Sequence, residues 1–193
     1  PIYRFASEDQ KKKYLPKLGA GELIGCFGLT EPDFGSNPAG MVTNVKDDGD
    51  CLILNGAKMW ITNSPVADIA VVWAKNEEGE ILGMVVESDS KGFSAPEMHG
   101  KWSLRASITG ELVFEDVRVP KNQVFPLVRG LKGPLSCLSK ARYGIAWGAI
   151  GAGLDCYDTA LRYSKERIQF GKPLAAFQLT QKKLAEMITE LTK

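Results

Sequence analysis

Short runs of strand-forming residues, with turn clusters between them and no helical segment among them, occupy residues 22–120. The clusters Asp-Asp-Gly-Asp at 47–50 and Asn-Glu-Glu-Gly at 76–79 each favour a hairpin. Closely spaced strands without intervening helices are typical of an antiparallel sandwich or barrel rather than a parallel sheet. The pattern predicts strands at 41–46, 51–55, 58–62, 69–74, 81–86, 93–97, 110–114 and 117–119.

Helical patterns flank this β region. Ser7-Glu8-Asp9-Gln10 has the form of a capping box and predicts a helix that ends near Leu15, because Pro16 cannot continue it. A long helix is predicted from about Leu135 until 171–173 (Gly-Lys-Pro), and a second from about Ala176 onward. The long helix has a candidate buried stripe at Cys137, Ala141, Ile145, Ala149, Ala152 and Cys156.

Four glycines interrupt the long helix, and each weakens it relative to alanine by about 1 kcal/mol. Close packing against other helices or a ligand is therefore expected at Gly144, Gly148, Gly151 and Gly153. The fold class predicted is α+β, an antiparallel β-sandwich or barrel domain followed by the first two helices of an α-helical bundle. The expected boundaries are 1–21 for the end of a preceding helical domain, 22–126 for the β-domain and 127–193 for the start of the bundle.

Charge and composition exclude several classes of function. The net charge is +1, so no global field attracts nucleic acid or an anionic membrane. No apolar run approaches the roughly 20 residues that span a bilayer. A single histidine leaves little basis for a zinc site or a Ser-His-Asp triad. The four cysteines are widely spaced among apolar neighbours and are expected to be reduced core residues.

The stretch 28–37 (Gly-Leu-Thr-Glu-Pro-Asp-Phe-Gly-Ser-Asn) ends an apolar run and becomes a polar loop. Gly35 allows the backbone to approach a ligand closely, and Thr30 and Ser36 offer hydroxyl groups. Pro32 stiffens the turn between them. This composition indicates a candidate cofactor loop, although the same residues also form ordinary strand-to-loop turns.

Two further segments carry candidate ligand-binding side chains. Trp60 and Thr62 share one face of a predicted strand, and a flat ring beside a hydroxyl suits a planar heteroaromatic ligand. The alternative is an ordinary tryptophan in the core of a sheet. Arg167 can hold a phosphate, or it can interact with the last carbonyls of its helix.

In this order and at this spacing, the segments resemble the acyl-CoA dehydrogenase family of flavoenzymes. The first signature is GLTEPDFGSN at 28–37, and KMWITNS at 58–64 resembles the second flavin-contacting strand. ARYGIAWGAIGAG at 141–153 and ERIQFGKPLAAFQLTQKKLAEM at 166–187 are similar to the helices that open the family's C-terminal domain. The stretches at 60–75, 100–112 and 141–148 are most similar to the glutaryl-CoA dehydrogenase branch.

The resemblance implies FAD as cofactor and acyl-CoA as substrate. The implied cofactor-binding residues within one subunit are Phe27, Gly28, Leu29, Thr30, Gly35, Ser36, Trp60, Ile61 and Thr62. Those implied to reach the FAD of a neighbouring subunit are Arg167, Phe170 and Gln178. The implied substrate-binding residues are Ser36, Leu135, Ser136, Leu138, Ser139 and Arg142.

The resemblance also implies a reaction, in which a glutamate takes an α-proton while a hydride leaves the β-carbon for the flavin. Most members carry that base far along the C-terminal bundle, so it is expected beyond Lys193. A minority place it where this chain has Ala141, and alanine cannot take a proton. Glu31 is interpreted as structural, and the chain as printed is expected to be an inactive fragment. The implied reaction is α,β-dehydrogenation of a short-chain acyl-CoA, with oxidative decarboxylation of glutaryl-CoA to crotonyl-CoA expected.

The implied partners are electron-transfer flavoprotein as electron acceptor and identical subunits in a homotetramer, a dimer of dimers. The implied compartment is the cytoplasm in a bacterium or the mitochondrial matrix in a eukaryote. Two residues depart from the family pattern: Phe34 replaces a small residue, and Asn37 replaces an aspartate. The alternatives are a short-chain acyl-CoA oxidase and a non-catalytic flavin-binding or scaffold module.

Overall fold

The computed structural model describes residues 1–193, which form two compact units, 1–137 and 138–193. The first unit opens with α1 (Ile2–Phe5) and α2 (Glu8–Ala20). The predicted capping box is confirmed, since Gln10 N donates to Ser7 Oγ at 3.2 Å and Ser7 N donates to Gln10 Oε1 at 2.8 Å.

The predicted end of α2 at Leu15 is wrong, because the helix continues through Pro16 to Ala20. Proline removes one backbone hydrogen bond, but the helix is held by tertiary contacts that offset this loss. Tyr14 is buried, and its hydroxyl donates to Glu87 or Gln123 at 2.9 and 3.0 Å.

Seven strands then form one curled, half-barrel sheet, which confirms the α+β class. The strands are β1 (Gly25–Gly28), β2 (Asn44–Asp48), β3 (Cys51–Thr62), β4 (Ile69–Lys75), β5 (Ile81–Glu87), β6 (Phe93–Ser94) and β7 (Thr109–Pro120). Their order is β1-β4-β2-β3-β7-β6, with β5 paired to β4. Most pairs are antiparallel as predicted, but β1 pairs with β4 in parallel, and so does β2 at a single position. The chain between β1 and β4 contains β2 and β3, which is long enough for a crossover.

Two long strands replace pairs of shorter predicted ones. β3 joins the predicted runs 51–55 and 58–62, and β7 joins 110–114 and 117–119. Their register shifts between Leu54 and Gly56, where Asn55 and Asp116 exchange two hydrogen bonds of 2.9 Å. These polar residues resemble turn signals in the sequence, but they form an irregularity within a continuous ladder.

The core lies on the inner face of the curled sheet. It contains Leu54, Val72, Met84 and Leu112, all of them fully buried. Trp73 alternates to the opposite face of β4, where its ring lies 6.4 Å from that of Phe27 and 6.3 Å from that of Phe125.

Helix α3 (Lys132–Glu166) begins in the first unit and continues into the second. It is followed by a short hairpin of β8 (Ile168–Gln169) and β9 (Lys172–Pro173), then by α4 (Gln178–Thr192). The helix therefore ends before the predicted Gly-Lys-Pro stop. The two residues at the hairpin tip, Phe170 and Gly171, both have positive φ, as a tight two-residue turn requires.

The packing expected along α3 is largely not provided by residues 1–193 themselves. Residues 141–152 are exposed, so this part of the predicted stripe is not covered. Among the four glycines only Gly153 packs closely, since a Cβ there would lie 2.6 Å from Leu191. At Gly144, Gly148 and Gly151 an added Cβ would meet open space.

The four cysteines are free, as predicted, but their expected core location is confirmed only for Cys26. Burial raises the pKa of the Cys26 thiol to about 12. Cys156 is exposed on α3.

Candidate functional site

A buried ion pair underlies the candidate cofactor loop. Lys58 Nζ lies 2.7 Å from Glu31 Oε1, and the two side chains are 0% and 1% exposed. The Glu31 carboxylate also accepts hydrogen bonds from the backbone N–H groups of Val42 (2.7 Å) and Thr43 (3.1 Å). This single side chain therefore connects the start of the loop to β3 and to the residues at 42–43 that follow the loop.

The surroundings of the pair shift the pKa of both groups. Burial acts to raise the pKa of Glu31, but hydrogen bonds from Lys58, Thr43 and Val42 outweigh it and hold that pKa below its usual range. Burial lowers the pKa of Lys58, and Glu31 opposes this shift. The structural role expected for Glu31 agrees with this geometry, because its carboxylate is fully engaged.

The start of the loop is tied to β3 by two backbone contacts. Lys58 Nζ donates to the carbonyl of Leu29 at 3.2 Å, and Met59 N donates to the carbonyl of Thr30 at 2.9 Å. Gly28 lies where a Cβ would meet the Leu112 side chain at 2.8 Å and the Lys58 side chain at 3.2 Å, so a larger residue would force Leu112 to shift. Leu29 is buried, whereas Thr30 is half-buried.

The adjoining end of β3 presents the side chains of Trp60 and Thr62 outward. Trp60 has φ 61° at a register shift and is 59% exposed, so the alternative of a sheet-core tryptophan is wrong. Thr62 is also exposed, while Ile61 between them is buried in the core. Trp60 and Thr62 can therefore contact a ligand with their side chains, and Ile61 can do so only with its backbone.

The far side of the loop is open. Gly35 and Ser36 are exposed, and a Cβ at Gly35 would meet nothing within 4 Å. Phe34 turns its ring onto Gly40, where an added Cβ would lie 2.2 Å from the ring. Phe27 is half-buried on β1. The loop is thus closed on itself by Phe34 and exposes its small and hydroxyl-bearing residues.

These residues fit the flavin that the resemblance implies. An exposed indole at Trp60 suits the flat face of a ring, and the hydroxyls of Thr30 and Thr62 supply neutral donors for its polar edge. The open backbone at Gly35 and Ser36 permits close approach of a phosphate-bearing chain. All of them belong to the first unit, and the Met59–Thr30 bond joins the two segments that carry them.

The other predicted residues are distributed over both units. Leu135 and Ser136 lie in the first unit, where the Ser136 hydroxyl donates to Gly133 O at 2.8 Å. The rest belong to the second unit and are exposed or half-exposed: Leu138, Ser139, Arg142, Arg167, Phe170 and Gln178. Phe170 is 93% exposed at the hairpin tip.

Sequence reasoning assigned no role to Lys58 or Thr43, which hold the loop in place. The signal for Lys58 was available, because it occupies an inward position of an alternating strand, where a charge requires a partner. Nothing in the sequence identified Glu31 as that partner, since 27 residues separate them.

The chain has neither a metal-binding cluster nor a membrane-spanning helix. No cluster of three or more His, Cys, Asp or Glu side chains is arranged to hold a metal ion. None of the helices combines the length and the apolar character needed to cross a membrane.

Comparison with known proteins gives two family matches. Residues 26–117 match the family described as acyl-CoA dehydrogenase, middle domain, and residues 128–193 match acyl-CoA dehydrogenase, C-terminal domain. A curated relative, the short-chain-specific acyl-CoA dehydrogenase of Megasphaera elsdenii, is 39% identical over 97% of this chain and 50% of its own length. The chain spans about half the length of the curated relatives it matches.

Two solved structures are also similar to this chain over nearly its whole length. A glutaryl-CoA dehydrogenase from Mycobacterium smegmatis in complex with FADH2 has a TM-score of 0.96 and 56% identity, covering 98% of this chain and 49% of that one. A structure described as an electron transferring flavoprotein of Acidaminococcus fermentans has a TM-score of 0.94 and 38% identity, covering 100% of this chain and 52% of that one. The two domain matches and these likenesses, on a fold whose loop and strand meet as described, place the chain in the acyl-CoA dehydrogenase family.

Proposed function

We propose that this chain is the flavin-binding and acyl-CoA-binding part of an FAD-dependent acyl-CoA dehydrogenase. The observation that carries the proposal is the direct connection of loop 28–37 to β3, through the Met59–Thr30 hydrogen bond of 2.9 Å and the Lys58–Glu31 ion pair of 2.7 Å. That connection supports a single cofactor surface built from two distant segments of the sequence.

FAD, when bound, accepts the hydride that leaves the acyl chain. The proposed role of this chain is to orient the flavin and to exclude water from it. Trp60 covers the flavin ring, and the hydroxyls of Thr30 and Thr62 donate to the polar edge of the ring. Hydrogen bonds placed where charge develops are effective because they are organised before the reaction. The remaining cofactor contacts proposed are Phe27, Gly28, Leu29, Gly35, Ser36, Ile61, Arg167, Phe170 and Gln178.

Glutaryl-CoA is the proposed substrate, and its oxidative decarboxylation to crotonyl-CoA the proposed reaction. The 56% identity to the mycobacterial glutaryl-CoA dehydrogenase supports this choice. The short-chain-specific relative at 39% identity supports the coarser class of short-chain acyl-CoA. The proposed substrate contacts are Ser36, Leu135, Ser136, Leu138, Ser139 and Arg142.

No carboxylate of residues 1–193 is proposed as the base. Glu31 is excluded because its carboxylate is buried and binds Lys58, Val42 and Thr43. Position 141, where a minority of the family carries the base, is alanine. Electron-transfer flavoprotein is the proposed electron acceptor, supported by the likeness to the Acidaminococcus structure, and a homotetramer is the proposed assembly.

Anaerobic titration of the purified full-length flavoprotein, which would include the catalytic base, with glutaryl-CoA, butyryl-CoA and isovaleryl-CoA tests the proposal. We expect loss of the oxidised flavin absorbance with glutaryl-CoA at the lowest concentration, together with release of CO2. If butyryl-CoA alone bleaches the flavin, glutaryl-CoA is rejected as the substrate, whereas acyl-CoA dehydrogenation is still supported as the reaction. Rapid formation of peroxide on admitting air would indicate an oxidase, and no bleaching with any acyl-CoA would indicate a non-catalytic module.

Thr62→Val tests the role of the exposed hydroxyl beside Trp60. The valine keeps the shape of the side chain and removes the donor, so flavin reduction should slow by about tenfold or more. Thr189→Val is the matched control, because this exposed threonine donates only to Ala185 O of its own helix, at 2.7 Å. Equal rates in the two variants would remove Thr62 from the proposed site.

A further inference from the structure

A buried side chain sets the direction of the peptide group between Leu29 and Thr30. Lys58 Nζ, which is fully buried, donates to the Leu29 carbonyl at 3.2 Å. In a trans peptide the C=O and N–H groups point in opposite directions. The Thr30 N–H is therefore directed away from the buried ammonium group.

The residues on either side leave this peptide little freedom. The Thr30 carbonyl accepts from Met59 N at 2.9 Å, and the Glu31 side chain is held by Lys58, Val42 and Thr43. Glu31 N and Phe34 N also exchange backbone bonds of 3.3 and 3.2 Å with each other's carbonyls. Three consecutive residues, 29–31, are thus anchored to β3 or within the loop.

An ion pair is not needed here for stability alone. Replacing a buried ion pair by apolar residues of similar volume is often neutral or stabilising. What apolar residues cannot do is donate to the Leu29 carbonyl and to Glu31 at once, as Lys58 does at 3.2 and 2.7 Å. Folding stability and loop orientation are therefore separable at this site.

We propose that the Glu31–Lys58 pair is a positioning device, which fixes the Leu29–Thr30 peptide so that the Thr30 N–H faces the cofactor and donates to it. The inference rests on the proposed function and deepens it, since neither side chain touches the cofactor. Each acts through the backbone of Thr30. Preorganisation of this kind strengthens binding by removing the cost of ordering a loop.

The test compares four forms of the purified protein: wild type, Lys58→Met, Glu31→Gln and the double variant. Val119→Ala is the matched control, because it also truncates a buried side chain (2% exposed). Val119 lies on β7 opposite Leu52, beside the β2–β3 turn, and is not part of the Glu31–Lys58 pair. Three quantities are measured: melting temperature, FAD affinity and the flavin midpoint potential. Hydrogen exchange at the amides of Val42, Thr43 and Met59 is followed in the cofactor-free protein.

The double variant is the decisive one, because it contains no uncompensated buried charge. We expect it to regain most of the melting temperature that Lys58→Met loses, yet to bind FAD about tenfold more weakly than wild type. Its midpoint potential should be more negative, because a donor to the reduced ring is misplaced. The amide of Met59 should exchange faster in it, whereas Val119→Ala should leave FAD affinity unchanged.

Wild-type FAD affinity and potential in the double variant would overturn the inference, as would an affinity that follows melting temperature in all five proteins. Failure of the wild type to bind FAD would reject the proposed function instead. The orientation of the loop is tested without FAD. If the Met59 amide of cofactor-free Lys58→Met exchanges at the wild-type rate, the claim that Lys58 orients the loop is rejected.

Discussion

The two units of this chain bury their side chains to very different extents. In the β unit, 1–137, the indole of Trp73 and the Glu31–Lys58 pair are almost completely removed from solvent. In the helical unit, 138–193, Ser164 is the only buried residue, and Trp147 is 67% exposed. The β unit is therefore organised by tertiary contacts, and the helical unit, taken by itself, by local hydrogen bonds.

The difference explains why only one part of the candidate site has a defined geometry. Loop 28–37 and β3 are joined by contacts between distant residues within a single core. The residues predicted on α3 and α4, such as Arg142 and Gln178, lie on exposed helical surfaces. A helix specifies which face such residues share but not what they contact.

The largest expected effect contrasts two tryptophans. Trp73→Ala should lower the free energy of unfolding by about 3–5 kcal/mol, because it leaves a cavity between Phe27 and Phe125. Trp147→Ala should change it by no more than about 0.5 kcal/mol. Chemical denaturation of the 193-residue chain measures both. Equal losses would break the comparison, because they would mean that Trp147 is buried.

Acid should weaken the β unit through its buried pair. The pKa of Glu31 is lower in the folded chain than in the unfolded one, so the unfolded chain binds more protons in acid. The resulting stability is present above the ordinary carboxyl pKa of about 4.3 and is lost as the pH falls below it. Denaturation between pH 3 and about 6 should show a steep slope in wild type and a shallower one in the Glu31→Gln/Lys58→Met variant. Identical slopes would remove Glu31 from the acid response.

The smallest effect concerns the glycines of α3. Gly148→Ala should raise the helix stability by up to about 1 kcal/mol, because the site is open and alanine favours a helix. At Gly153 the same change should raise the helix stability by less, because the new methyl group would meet Leu191 at 2.6 Å. Thermal melting followed by circular dichroism compares the two. A loss of stability in Gly148→Ala would show that this surface is packed.

Sequence patterns predicted local features well and long-range ones poorly. The capping box at Ser7 and the turn at 47–50 were predictable because their contacts lie within a few residues. The continuation of α2 past Pro16 was not predictable, since it depends on Tyr14 reaching Glu87 across the fold. The gaps predicted at 56–57 and 115–116 were wrong, because both lie inside long strands whose ladder Asn55 and Asp116 join by hydrogen bonds.

By itself the sequence determined the α+β class and the change from strands to helices, and it predicted the residues of the candidate site. These features depend on local propensity and on periodicities of two and 3.6 residues, which are readable along the chain. Only the tertiary structure decided that Lys58 pairs with Glu31, that Trp60 faces outward while Ile61 faces the core, and that the Thr30 N–H points away from the Lys58 ammonium group. A buried charge and a backbone direction are set by partners distant in sequence, and those partners meet only when the chain has folded.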